Sequence, residues 1–188
     1  MNIEVHLSNG HVVDLLDLPP YEIDLWEICR ALSQICRYAG KTPAFYSVAE
    51  HSLNLSRYFQ VRNDKTRGSI KYEMSKLRRA ALVHDFAEAY VGDLIHPIKH
   101  TICPSFLALE TIVLERVMRA LCGPSLELFA DKRLTDAHDA LSQAELGMFC
   151  GDGSALHYAD IVTGDSTDII ASRLFKVCTF MGVCEHGK

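Results

Sequence analysis

His84-Asp85-Phe86-Ala87-Glu88-Ala89-Tyr90-Val91-Gly92-Asp93-Leu94-Ile95-His96-Pro97-Ile98-Lys99 is the stretch on which the reading of this chain turns. Its first half has helical character. Successive side chains on a helix are about 100° apart, so His84 and Glu88 fall one turn apart on nearly one face. Asp85 diverges from His84, yet the two differ in reach and can share an ion placed beside the helix. A neutral imidazole and a carboxylate suit a divalent metal such as Mn, Co, Zn or Fe, with Mg as the harder alternative. Two ligands do not complete a site, so others must come from elsewhere in the chain. A bare His-Asp dipeptide says little, being more often a buried histidine held by a carboxylate, and the chain carries a second one at His138-Asp139.

Working outward, the helix containing this stretch is predicted to begin near Tyr72, to carry Leu77, Ala80, Ala81 and Val83, and to end at Gly92-Asp93. Upstream, residues 3–15 alternate apolar and polar about Asn9-Gly10, a favoured two-residue hairpin turn. After Pro19-Pro20 the period changes to 3.6. Asp24 caps a helix with Leu25, Ile28, Cys29, Leu32, Ile35 and Cys36 on its apolar side. A second helix carries Val48, His51, Leu55 and Phe59, and residues 60–71 read as a polar loop. Downstream, His96-Pro97 opens a connection to Pro104. A helix then bears Phe106, Leu109, Ile112, Val113, Val117 and Leu121, and Gly123-Pro124 stops it. A further helix over 134–149 is broken by Gly151-Asp152-Gly153, and a terminal helix runs from Thr167 to Met181. The expected fold is all-α, a helical bundle with a short N-terminal β-hairpin. It reads as one domain over 1–188: a hairpin appendage over 1–18, a helical catalytic core over 21–150 and a C-terminal helix within 151–188.

Bulk properties narrow the function. The net charge is −5 and only 9% of residues are aromatic. A protein that holds a polymeric polyanion usually presents a basic face or a stacking platform, and neither is visible, so DNA and RNA are poor candidates. A small anionic substrate is compatible, since one metal and two or three cations can hold a few phosphates. The 7 cysteines are odd in number, scattered and free of any C-x-x-C pair. They read as reduced thiols in a cytoplasmic setting. No N-terminal stretch resembles a signal peptide, and no apolar run approaches the ~18 residues needed to span a membrane.

Further ligand candidates lie on other helices. His51 sits within the second helix, and Asp139 within the helix over 134–149, with Asp136 one turn earlier as its rival; His138 reads as incidental. Four ligands from three packed helices make a plausible bundle-core site. The local text then adds a family. Ile35-Cys36-Arg37-Tyr38-Ala39-Gly40, Phe45-Tyr46-Ser47-Val48-Ala49-Glu50-His51-Ser52 and the stretch from His84 to Lys99 resemble the HD-domain metal-dependent phosphohydrolases. The likeness is to the branch containing bacterial 5′-deoxynucleotidases, and is stronger to small phage and prophage members, the phage dATP triphosphohydrolases among them. It covers residues 25–150.

That resemblance implies metal-dependent hydrolysis of 2′-deoxynucleotides, leaning to deoxyadenine nucleotides such as dATP, giving a deoxynucleoside plus phosphate or polyphosphate. It assigns His51, His84, Asp85 and Asp139 to the metal. It makes Glu88 the general base or proton shuttle, with Asp93 sharing or orienting that role. Arg37 matches a residue facing the substrate phosphate, and Lys99 a basic residue near the same group. Tyr38 stands where the deoxynucleotidases carry Trp, near the sugar or base. His6, His11, His96, His100, His157 and His186 read as surface or loop residues, with His96 close enough to the Gly92-Asp93-Leu94 segment to be a candidate for substrate contact as well. Members of this size often form dimers or larger rings, and the apolar helix over 104–122 would suit that. The alternatives are a 5′-deoxynucleotidase restricted to monophosphates and a noncatalytic nucleotide-binding HD module. Relatives that cut cyclic dinucleotides or alarmones carry extra ligands or domains not seen in this sequence.

Overall fold

The computed structural model describes residues 2–150 and 164–184. Strands β1 (Glu4–His6) and β2 (Val12–Asp14) pair antiparallel, Val5 opposite Val13. Leu7 N–H donates to the His11 carbonyl at 2.8 Å, which leaves Ser8-Asn9-Gly10 as a three-residue loop rather than the expected two-residue turn. Gly10, at φ 86°, supplies the left-handed position that such a loop requires. A short 3-10 turn (Leu15–Asp17) follows, capped by the Asp14 carboxylate, which accepts from Leu16 N–H at 3.0 Å.

Helix α1 (Leu25–Gln34) starts as expected, the Asp24 carboxylate accepting from Glu27 N–H at 3.0 Å. It buries Leu25, Ile28, Cys29 and Leu32. The apolar row continues to Cys36 but the helix does not: Ile35 is extended and Cys36 forms a β-bridge with Ser47. Between those partners the chain makes a tight turn over Arg37–Gly40.

Helices α2 (Val48–Asp64) and α3 (Gly68–Val83) form the most extensive helix pair of the fold. The expected loop over 60–71 shrinks to residues 65–67. Its polar side chains mark exposed helix ends, not coil. Beyond Val83, His84-Asp85-Phe86-Ala87 is a tight turn that leads into the short helix α4 (Glu88–Val91). Helix α5 (His96–Thr101) occupies part of the expected connection, with Pro97 in its first turn where a missing N–H costs nothing. Then come α6 (Pro104–Ala120), a 3-10 segment (Leu126–Ala130), α7 (Lys132–Cys150) and α8 (Thr167–Phe180). The expected break at Gly151-Asp152-Gly153 and the histidines His157 and His186 lie outside the described residues.

Two apolar clusters hold the bundle. The larger joins α1, α2, α3, α6 and α8 through Leu32, Val48, Leu82, Phe86, Val117, Leu121 and Leu174. The smaller joins α2, α3 and α7 through Leu55, Phe59, Leu77, Ala80, Leu134, Ala137 and Leu141. Helices α2 and α3 contribute to both; His51 lies on α2 and His84 follows the last residue of α3. Among the described residues no helix is long and apolar enough to cross a membrane.

Candidate metal centre

Three elements deliver the site. Ser47 and Glu50 form a capping box at the start of α2. Glu50 N–H donates to Ser47 Oγ at 3.2 Å, and Ser47 N–H donates to the Glu50 carboxylate at 2.7 Å. This fixes the first turn, where His51 points into the protein with no exposure. His84 keeps helical backbone angles (φ −62°, ψ −30°), but the ladder behind it tightens. Phe86 N–H reaches Val83 O at 3.1 Å and Glu88 N–H reaches Asp85 O at 2.9 Å, both three residues back. The His-Asp pair therefore sits in a 3-10-like turn rather than within the continuous helix that periodicity suggests. The third contribution, from α7, is His138.

The imidazoles of His51, His84 and His138 each offer a nitrogen, and these lie within 4.8 Å of one another. Ring centroids are 5.4 Å apart for His51 and His84, 5.0 Å for His51 and His138, and 5.4 Å for His84 and His138. Two tautomers follow from the partners. His51 Nδ1–H donates to Glu145 Oε1 at 2.7 Å, and His84 Nδ1–H donates to the Ala81 carbonyl at 2.8 Å. Each ring then presents an Nε2 lone pair inward. His51 Nε2, His84 Nε2 and Asp85 Oδ2 are all buried and without a hydrogen-bond partner among the described residues. His84 Nε2 lies 3.0 Å from Asp85 Oδ2 without hydrogen-bond alignment. Unpaired buried lone pairs converging on one point are costly in any protein. A divalent cation is the group that satisfies all of them. Three imidazoles and one carboxylate suit Mn, Co, Fe or Zn better than Mg, which prefers oxygen.

The electrostatics keep His51, His138 and Asp85 in ligating form. Burial, aided by the Arg37 cation, depresses His51 to about 4, so the ring is neutral near pH 7. Burial and His84 lower His138. Burial opposes ionisation of Asp85, but the groups around it, the Arg37 cation at 3.8 Å among them, hold the carboxyl well below its usual range.

The other expected residues sort into three groups. Arg37, Glu88 and Asp93 surround the cluster. Arg37 is buried, 3.8 Å from Asp85 and 3.5 Å from Glu145. Glu88 is buried, and desolvation together with Asp85 and Asp93 pushes its carboxyl well above the usual range. Burial likewise raises Asp93, against the pull of Arg37. Lys99 is present but not free. Its ammonium is held by Glu88 at 3.1 Å and by Glu110 of α6 at 2.8 Å. Tyr38 sits in the turn after α1 with a left-handed backbone (φ 57°), its hydroxyl donating to Glu145 Oε2 at 2.7 Å.

Asp139 and His96 are not brought in. Asp139 has 81% of its side chain exposed. Its rival Asp136 is 61% exposed and pairs with Lys132 at 2.7 Å. The reason is helical phase: Leu134, Ala137, Leu141 and Glu145 make the buried stripe of α7, so His138 borders it and Asp139, about 100° on, faces out. The residue read as incidental is thus the one that meets His51 and His84. His96 is exposed on α5 and stacks on His100 at 4.0 Å. Reasoning from sequence also missed Glu145 and Glu110, brought in by packing between helices, and Tyr46, which precedes the Ser47 cap of α2 and donates to Glu145 at 2.6 Å.

The HD domain family model matches residues 33–123 of this chain. An uncharacterized protein of Rhodobacter capsulatus is 32% identical over 138 residues, a match that spans 72% of this chain and 67% of that protein. The uncharacterized protein YfdR of Escherichia coli K12 is 32% identical over 89 residues, spanning 47% of this chain and 42% of YfdR.

Proposed function

Starting from a chain that belongs to the HD-domain family, we propose that it is a divalent-metal-dependent phosphohydrolase of small 2′-deoxynucleotides, dATP foremost, with His51, His84, Asp85 and His138 as metal ligands. The observation that carries this reading is the set of unpaired lone pairs on His51, His84 and Asp85, facing one another with the Arg37 cation alongside. A bound divalent ion would supply acidity to a coordinated water and charge to a phosphoryl oxygen.

The chain's own groups supply the rest. Arg37 reaches phosphate oxygens with a planar fork that forms two parallel hydrogen bonds. Substrate must draw it from Asp85 and Glu145, a competition that a polyphosphate wins through greater charge. Glu88, raised by burial, is suited to take a proton from the attacking water and return it to the leaving oxygen. Lys99 offsets the negative charge of Glu88 in its ionised, proton-accepting form and contacts phosphate only if it leaves Glu110. Tyr38 stands on the Arg37 turn, where it can meet the sugar or base. A monophosphate is the second substrate form, because the same cations would hold one phosphate.

The test is a panel of mono- and triphosphates, ribo and deoxy, incubated with Mn²⁺ or Co²⁺ and resolved by chromatography. We expect deoxynucleoside with phosphate or tripolyphosphate, dATP being turned over fastest, and loss of turnover by about 10³-fold or more in His84→Ala or Asp85→Ala. Undiminished turnover in those variants would sink the assignment.

A further inference from the structure

Glu145 has a buried carboxylate on the inner stripe of α7, and it is not a member of the ligand set. It gathers four partners. Oε1 accepts from His51 Nδ1–H at 2.7 Å and from the Tyr46 hydroxyl at 2.6 Å. Oε2 accepts from the Tyr38 hydroxyl at 2.7 Å and lies 3.5 Å from Arg37 Nε. A carboxylate has about four lone-pair positions, and the partners here meet both oxygens.

The two oxygens serve different halves of the site. Oε1 fixes which nitrogen of His51 carries the proton, and so which one is left to ligate. Oε2 faces the turn that carries Arg37. That turn is unusual: Tyr38, Ala39 and Gly40 take φ of 57°, 52° and 69°, a left-handed run that non-glycine residues rarely adopt. The segment from Arg37 to Tyr46 is closed at its base by Arg37 N–H donating to Tyr46 O at 2.8 Å. Both of its tyrosines then donate to the same carboxylate from opposite ends.

We propose that Glu145 is a positioning residue that ties the metal centre to the phosphate-facing turn, orienting His51 through Oε1 and Arg37–Gly40 through Oε2. This rests on the metal-site reading above. It concerns geometry only: Glu145 touches neither substrate nor metal.

Glu145→Gln separates this role from simple packing. An amide has one acceptor oxygen and one NH₂. The Arg37 cation draws the oxygen to its own side, which turns the NH₂ toward His51. His51 must then accept at Nδ1 and carry its proton on Nε2, where it can no longer ligate. We expect Co²⁺ affinity, measured by calorimetry, to fall about 10- to 100-fold, with an altered visible Co²⁺ spectrum. Tyr38→Phe removes one contact on the Oε2 side only. It should keep wild-type Co²⁺ affinity, because His51 still donates to Oε1.

¹⁵N NMR of metal-free wild-type protein gives a reading that does not depend on any variant folding. It should show His51 protonated on Nδ1. A His51 proton on Nε2, or folded Glu145→Gln that binds Co²⁺ as wild type does with an unchanged spectrum, overturns the proposal. His84→Ala is the reference. If it loses Co²⁺ while Glu145→Gln keeps it, only the role of Glu145 fails. If His84→Ala itself binds as wild type does, the metal-site reading fails and this inference with it.

Discussion

His138 and Asp139 are neighbours, and a dipeptide cannot say which of them faces inward. The turn of the helix does. Because His138 borders the buried stripe of α7 and Asp139 is exposed, we expect His138→Ala to weaken Co²⁺ or Mn²⁺ binding at least about tenfold, and Asp139→Ala to leave it within about twofold. Calorimetric titration of the two variants decides the point, and the reverse ranking would restore Asp139 as ligand. Lys99 offers a second test. Its ammonium is the charge partner of a buried Glu88, so Lys99→Met should destabilise the fold by about 3 kcal/mol, read by denaturant unfolding near pH 7. A loss under about 0.5 kcal/mol would mean that Glu88 does not need the cation. At this scale His51, His84, Asp85, Glu88, Asp93 and Arg37 lie in the stretches that carry the family resemblance, which is what marked them as candidates. Glu145 and Glu110 were not legible, since nothing near them in sequence records that α7 meets the turn after α1, or that α6 meets α5; Tyr46 lies in a quoted stretch, but nothing there shows that its hydroxyl reaches Glu145.

Elements were easier to place than their ends. The β-hairpin, the Asp24 cap of α1 and the terminal helix stand where alternation, capping and period place them. Polarity misled over 60–71, where exposed helix ends look like loop, and the apolar row of α1 ran past its last helical residue into a bridge. The tightened turn at His84 was also hidden, because its backbone angles stay helical while its hydrogen bonds shift by one residue. Just beyond, Gly92 takes φ 79° and ψ 165°, a region essentially confined to glycine, and turns the chain from α4 toward Asp93. A Cβ there meets nothing within 4 Å, so only backbone strain opposes it. Gly92→Ala should therefore cost about 1–3 kcal/mol in denaturant unfolding and lower activity by displacing Asp93. Unchanged stability would show that the turn does not need this conformation.

At the scale of the whole molecule, the proposed function has to reconcile an anionic chain with an anionic substrate. The net charge of −5 repels polyanions at long range, while Arg37 and the metal site act within a few ångströms. A metal that binds the folded state alone also stabilises it: at a hundredfold excess over Kd the gain is about 2.7 kcal/mol. For a chain of this size that raises Tm by about 5–10 °C. We expect Mn²⁺ or Co²⁺ to produce that shift, a chelator to reverse it, and His84→Ala to abolish it. An equal shift in His84→Ala would place the ion elsewhere. The central claim is tested most directly by an anomalous difference map from crystals grown with Mn²⁺. We expect one strong peak bounded by His51, His84, Asp85 and His138, whereas a map without a peak there at saturating Mn²⁺ would contradict the metal centre.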